Sequence, residues 1–176
     1  MTFPNEFIGY LIEYHGRRDY FECHELLEEY WKKEDPRNMK SHWVGFILIA
    51  VSAYHHRRGN FAGAEKTAQK ALIIFETTSA STISSLGIDY EKLIQIIKKN
   101  IQLIHNKETY RSINLPIQNE DLRQACLAMC KQHNLEWCQE KAVISPDIIH
   151  RHLVRDRSEV IREREYQKKL RHARRK

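Results

Sequence analysis

The spacing of apolar residues in the first 105 residues predicts five helices. In residues 90–105, for example, apolar side chains stand at positions 90, 93, 94, 97, 101 and 104, which is the period of an amphipathic helix. Residues 39–58 are almost wholly apolar in their middle, a pattern typical of a helix buried on several sides. No stretch shows the alternation of a strand. The predicted helices occupy residues 4–15, 17–35, 39–58, 61–78 and 90–105.

Residues between these stretches supply turn and capping signals. Gly59 suits the left-handed position that follows a helix, and Asn60 and Asp89 can cap the helices that follow them. The sequence TTSASTISSLGI, residues 77–88, predicts a polar loop. The third and fourth helices resemble one tetratricopeptide-like hairpin, because small residues would let them approach closely. These are Gly63, Ala64, Ala68 and Ala71.

The predicted fold is therefore all-α, with a five-helix bundle in residues 1–105. Residues 106–118 read as a linker closed by Pro116, and residues 119–176 read as a helical extension that ends in a basic tail. A helix is predicted over residues 120–133 and another from Asp147 onward. The length of the chain suits one domain with a sizeable core and an appendage.

Charge is concentrated at the end of the chain. Residues 150–176 hold eleven Arg or Lys and four Asp or Glu, whereas the rest of the chain is close to neutral. Residues 157–176 could therefore contact the phosphates of a nucleic acid, or form a solvated helix that binds a partner. Tyr166 is the only Phe, Trp or Tyr in residues 157–176, which argues against a surface on which the bases of single-stranded nucleic acid stack.

Composition excludes several classes of protein. The apolar run 44–53 has about half the length of a membrane span, and residues 1–15 lack the pattern of a signal peptide. The four cysteines form no visible disulfide framework, so we expect no membrane association and a reducing, cytoplasmic location.

The predicted second helix carries two polar residues on its apolar face. A helical wheel places Glu25 and Glu29 on the solvated side, but His24 and Glu28 fall among the apolar side chains. They are four residues apart and therefore neighbours on successive turns. A carboxylate in such a place is costly unless it is paired, so we expect a buried His–Glu pair.

This pair has three interpretations. It can be a structural contact that fixes helix packing, it can bind a divalent metal, or it can be an acid–base dyad whose imidazole is tuned by the carboxylate. If His55 of the third helix faces the second, then His24, Glu28 and His55 together form a candidate catalytic or metal site. Three such ligands with one open position are typical of catalytic zinc.

Residues around the pair are candidate binding residues. Aromatic and basic side chains at both helices would line a pocket between them: Tyr20, Trp31, Tyr54, His56 and Arg58. Separately, the spacing of Cys126, Cys130 and His133, followed by Cys138, allows a structural zinc site. The close Cys-x-x-Cys pair is absent, and core packing of the cysteines is the alternative.

Two stretches, GRRDYFECHELLEEYW and WVGFILIAVSAYHHRRGNFAGA, resemble the bacterial and archaeal family catalogued as domain of unknown function 309. The resemblance covers roughly residues 7–75 and rests on an HE-x-x-E-x-x-W helix, an apolar helix ending in His, and a GN-x-x-GA turn. It implies an all-α fold and no established activity. The matching positions are His24, Glu25, Glu28, Trp31, Gly45, His55, Gly59, Asn60, Gly63 and Ala64.

Together these observations favour a helical interaction protein that binds a protein partner or itself, with the His–Glu pair as a structural element. The alternative is an enzyme or metal-binding protein that uses His24, Glu28 and His55, with zinc as the candidate ion. Access of solvent to Glu28 distinguishes the two, because a closed pair is structural and an open cleft at the pair favours a functional site.

Overall fold

The computed structural model describes residues 3–138 and 144–154, and over these residues the regular structure is all-α. The five predicted helices of the first 105 residues are all present, with ends shifted by a few residues at most. The helices are α1 Asn5–Ile12, α2 Tyr20–Glu34, α3 His42–Arg57, α4 Phe61–Thr77, α5 Ala80–Ser85, α6 Tyr90–His105, α7 Glu120–Gln132, α8 Pro146–Ile149 and α9 Arg151–Val154.

Capping and turn residues define the ends of these helices as predicted. The Asn60 side chain accepts a hydrogen bond from the Gly63 amide at 3.0 Å and caps α4. Asp89 caps α6 in the same way through the amide of Lys92. Gly59 has a φ of 72°, a conformation that glycine adopts without the cost of a Cβ.

The end of the first helix differs from its prediction. The helix does not end at residue 15, as predicted, but continues as a π-helical turn, Glu13–Arg17, and the chain reverses at Arg18 with a φ of 55°. The reason is tertiary: the buried Arg18 guanidinium donates to the carbonyls of Tyr14 at 3.0 Å and Ile113 at 3.2 Å. A third bond, to the Asn114 side chain at 2.7 Å, fixes the same group.

The prediction of a polar loop over residues 77–88 is wrong in part, because helix α5 forms within it. The Ser79 side chain accepts from the Thr82 amide and supplies the cap. Ile83, the apolar residue at the centre of this serine-rich segment, is fully buried and anchors the helix on the core. One buried side chain thus outweighs the loop-like composition.

Helices α3 and α4 form the predicted close hairpin. Ala64, Ala68 and Ala71 of α4 are buried, and the Ser52 hydroxyl of α3 donates to the Ala64 carbonyl at 2.8 Å. Gly45 lies against the ring of Phe75, whose nearest carbon would be 2.8 Å from a Cβ at position 45. The likeness of this hairpin to a tetratricopeptide repeat stays a prediction.

Residues after α6 pack into the same core as the bundle. Leu115, Leu122 and Cys126 belong to the main cluster of buried side chains. The buried His15 ring joins the segments, since its Nδ1 donates to the Leu11 carbonyl and its Nε2 accepts from the Leu115 amide, both at 2.9 Å. The division into residues 1–105, 106–118 and 119–176 stays a prediction, and most of the basic tail lies outside the described residues.

No helix in residues 3–138 and 144–154 combines the length and the apolar character needed to cross a membrane.

Candidate functional site

An open cleft of about 720 Å³ runs along α2. One wall is α2 and the other is the short C-terminal segment of α8 and α9. Five carboxylates and two cationic groups line it, together with two aliphatic side chains. The lining residues are Glu22, Glu25, Leu26, Glu28, Glu29, Lys32, Asp147, Ile148 and Arg151.

The C-terminal wall is held in place by ion pairs and hydrogen bonds. The Arg151 guanidinium donates to the carboxylate of Asp19, which is fully buried, and lies 3.4 Å from Glu22. Asp19 also caps α2 by accepting from the Glu22 amide at 3.0 Å. The ring of His152 hydrogen-bonds to the hydroxyl of Tyr54 on α3. These contacts hold the C-terminal wall of the cleft against α2 and α3.

His24 lies at the edge of this cleft between two carboxylates. Its Nδ1 is 3.1 Å from an oxygen of Glu25, and its Nε2 is 3.9 Å from an oxygen of Glu28. The other oxygen of Glu28 lies 3.1 Å from the ammonium of Lys32. His24 and Glu28 are therefore paired, as the sequence predicted.

The prediction that this pair is buried is wrong. The His24 and Glu28 side chains are 32% and 34% exposed, because the buried face of α2 is centred on Tyr20, Cys23 and Leu27. At 100° per residue, positions 24 and 28 lie roughly 70° and 110° from that centre. They flank the core face instead of occupying it, and solvent reaches both.

Three donor groups converge at this point. One donor atom each from His24, Glu25 and Glu28 lies within 4.8 Å of the others, and elsewhere in the described residues no comparable group of three occurs. Donors bound at about 2.1 Å to one tetrahedral zinc ion lie about 3.4 Å apart. Side chains that are one-third exposed can close that gap, so the arrangement fits a single divalent ion.

His55 does not join this group, and Glu25 takes its place. The Asn60 side-chain amide donates to His55 Nδ1 at 3.0 Å. Burial and the nearby Arg58 guanidinium lower the pKa of His55. The helical wheel places Glu25 on the solvated face. Its position directly after His24 in the sequence is the feature that could have indicated a third ligand.

The predicted binding residues are dispersed. Tyr20 is buried, hydrogen-bonds to Tyr110 and carries the Arg57 guanidinium over its ring. His56 is buried and donates from Nε2 to the Glu108 carbonyl at 2.8 Å.

Nearer the surface, the Trp31 indole donates to the Asn38 carbonyl at 3.1 Å. Arg58 lies 5.4 Å above the Tyr54 ring. None of Tyr20, Trp31, Tyr54, His56 or Arg58 lines the cleft.

Three of the four cysteines are core residues, and the fourth, Cys138, is half-buried. Cys126 and Cys130 are buried, and burial raises the pKa of the Cys126 thiol to about 12 and also raises that of Cys130. His133 is exposed. These positions do not form a metal-binding group, so core packing is the interpretation that the geometry favours.

Comparison with known proteins gives a family but no activity. The family model described as "Domain of unknown function (DUF309)" matches residues 7–67. The chain is similar to the "Uncharacterized protein YpuF" of Bacillus subtilis (strain 168), with 42% identity over 163 residues that cover 93% of each chain. No solved structure gives a significant match. The similarity to the Bacillus protein spans nearly the whole chain, and the chain belongs to the family of this domain of unknown function.

Proposed function

We propose that this protein binds a divalent metal ion through His24, Glu25 and Glu28. The observation that carries the proposal is the convergence of three donor atoms within 4.8 Å at the edge of an open cleft. Solvent reaches His24 and Glu28, which is the condition that separates a functional site from a closed structural pair. His55 is not part of the proposed ligand set.

The donor set favours a first-row transition-metal ion such as Zn²⁺ over Mg²⁺. One imidazole and two carboxylates offer mixed nitrogen and oxygen ligands, which suit Zn²⁺, whereas Mg²⁺ prefers oxygen donors alone. Three protein ligands leave one coordination position for water or for a substrate group. An enzymatic role of His24 and Glu28 would depend on that open position.

Zinc titration of the full-length, untagged protein tests the proposal. We expect one zinc equivalent to bind by isothermal titration calorimetry, and the His24→Ala and Glu28→Gln variants to lose at least ten-fold in affinity. Magnesium at the same concentration should give no comparable signal.

The chain offers a matched control. His105 Nδ1 lies 3.1 Å from a Glu65 oxygen on another surface, but among the residues that the structure describes no third ligand stands beside that pair. We expect His105→Ala to bind zinc as the unmodified protein does. Equal affinity in the unmodified protein and in both His24→Ala and Glu28→Gln would contradict the proposal.

We further propose that the protein acts in a reducing, cytoplasmic compartment and contacts a protein partner or another copy of itself. The four free cysteines support the compartment. As a second candidate role we propose contact of residues 157–176, which lie outside the described residues, with the phosphates of a nucleic acid.

A further inference from the structure

The acidic cleft along α2 holds carboxylates that the described chain leaves unneutralised. Glu22 pairs with Arg151, and Glu28 pairs with Lys32. In residues 3–138 and 144–154, Glu29 and Asp147 have no ion-pair partner. The two walls of the cleft thus each carry a carboxylate available to an incoming cation.

The lining of the cleft is not wholly polar. Leu26 from α2 and Ile148 from α8 line the same space. Lys and Arg place a cationic head in a polar setting while their aliphatic stems cover apolar surface. A segment rich in these two residues therefore matches both the charge and the composition of the cleft.

The chain itself contains such a segment, attached at the cleft wall. Arg151 lines the cleft, and residues 155–176 follow with ten Arg or Lys against four Asp or Glu. The last nine residues, KKLRHARRK, hold six Arg or Lys and no acidic residue. Residues 155–167 can span up to about 40 Å when extended, so the last nine can reach the cleft.

We propose that residues 168–176 dock in the acidic cleft of their own chain. Attachment next to the site gives this segment an effective concentration on the order of millimolar, which favours it over a separate basic partner. The docked segment pairs with Glu29 and Asp147 on opposite walls. The proposal goes beyond metal binding and is independent of it, because neither carboxylate belongs to the proposed ligand set.

Carbodiimide cross-linking of the full-length protein in EDTA tests the docking directly. This reagent joins a lysine to a carboxylate in contact with it. In an equal mixture of ¹⁴N- and ¹⁵N-labelled protein, we expect Lys168, Lys169 or Lys176 to be joined to cleft carboxylates within molecules of one label. The yield should fall at about 0.5 M salt, where charges are screened within a few ångströms.

A competition experiment with a free peptide of residues 155–176 gives a second readout. In a full-length acceptor chain, Gln replaces the six Arg and Lys of residues 168–176. This acceptor should bind the labelled peptide at least ten-fold more tightly than the unmodified chain, whose own tail occupies the cleft. Adding Glu29→Lys and Asp147→Lys to the acceptor should abolish that binding. As a control, Glu91→Lys on the exposed face of α6 should leave it unchanged.

Each other outcome overturns the proposal. Cross-links between molecules of different label would assign the segment to a second copy, and cross-links spread over surface carboxylates such as Glu76 and Glu91 would show no defined site. An uncross-linked tail that instead binds a labelled RNA or DNA duplex would assign it to nucleic acid. Zinc titration of the unmodified protein is a separate measurement, so a failure of docking leaves the test of the metal site unaffected.

Discussion

The guanidinium of Arg151 donates to the carboxylate of Asp19, 132 positions earlier in the chain. Asp19 is fully buried and also caps α2, so one carboxylate serves both the start of a helix and the attachment of the C-terminal segment. A buried charge that loses its partner is destabilising. This contact therefore couples the shape of the cleft to the stability of α2.

Arg151→Gln tests this coupling. We expect a loss of about 1 kcal/mol in the free energy of unfolding, because Arg151 is itself 42% exposed and solvent screens part of the interaction. Urea unfolding followed by circular dichroism measures it. Arg123→Gln, which breaks an exposed pair with Glu120 within α7, should cost less. Equal effects of the two changes would contradict the coupling.

The pH dependence of stability should reveal the buried carboxyl of Glu13. Burial raises its pKa from 4.5 to about 7, although the neighbouring Arg17 lowers it. The folded state therefore holds a proton that the unfolded state releases between pH 4.5 and 7. Through this group the free energy of unfolding falls as pH rises across that window. We expect the free energy of unfolding to fall by about 2–3 kcal/mol, because one pKa unit corresponds to about 1.4 kcal/mol.

The buried His15 changes the free energy of unfolding with pH in the opposite direction. Burial lowers its pKa from 6.5 to about 3, so below pH 6.5 the unfolded state binds a proton that the folded state does not, and stability rises with pH from 3 to 6.5. The Glu13→Gln variant lacks the opposing contribution of the Glu13 carboxyl. We expect that variant to gain stability between pH 4.5 and 6.5 more steeply than the unmodified protein, measured by urea midpoints at half-unit intervals. Parallel profiles for the two proteins would rule out the assignment to Glu13.

Lys32 should weaken metal binding. Its ammonium lies 3.1 Å from an oxygen of Glu28, where it competes with an incoming cation for the same carboxylate. Lys32→Ala should raise zinc affinity by about three- to ten-fold, the scale of charge interactions at a solvated surface. Lys33→Ala removes a charge that pairs with Glu34 instead and serves as the control in the same titration. Weaker zinc binding by Lys32→Ala would show that Glu28 is not a ligand.

Gly45 permits the close approach of α3 and α4. An added Cβ would lie 2.8 Å from the Phe75 ring, and a buried ring in a packed core can move only at a cost. We expect Gly45→Ala to destabilise the protein by about 1–3 kcal/mol. Gly9→Ala in α1 meets only Leu26 at 3.5 Å and should be neutral or stabilising by up to about 1 kcal/mol. Thermal unfolding compares the two, and equal melting temperatures would contradict the packing argument.

The helices of the bundle were predictable because they depend on local patterns. Apolar periodicity located α6, and the Asn60 and Asp89 caps follow from side-chain chemistry within a few residues. The π-helical turn and α5 were not predictable from periodicity, because each depends on a buried contact. Arg18 finds acceptors at residues 113 and 114, and Ile83 finds the core.

The candidate site was predictable only in its central pair. The sequence shows that His24 and Glu28 are neighbours, but their exposure depends on which helices cover α2, and apolar spacing alone places that boundary imprecisely. No local sequence pattern indicates that Asp147 and Arg151 line a cleft. They belong to the cleft because Arg151 pairs with Asp19, a relationship between distant residues that a single sequence does not display.

The π-helical turn Glu13–Arg17 lies between α1 and the reversal of the chain at Arg18. A π turn contains one residue more than the α-helical turn it replaces. Deleting one residue from it would therefore leave a regular α-helical turn that completes the same rotation. Phe7 and Tyr10, both fully buried, would keep facing the core. The chain can thus differ in length by one residue at this turn without rotating α1 away from the rest of the bundle.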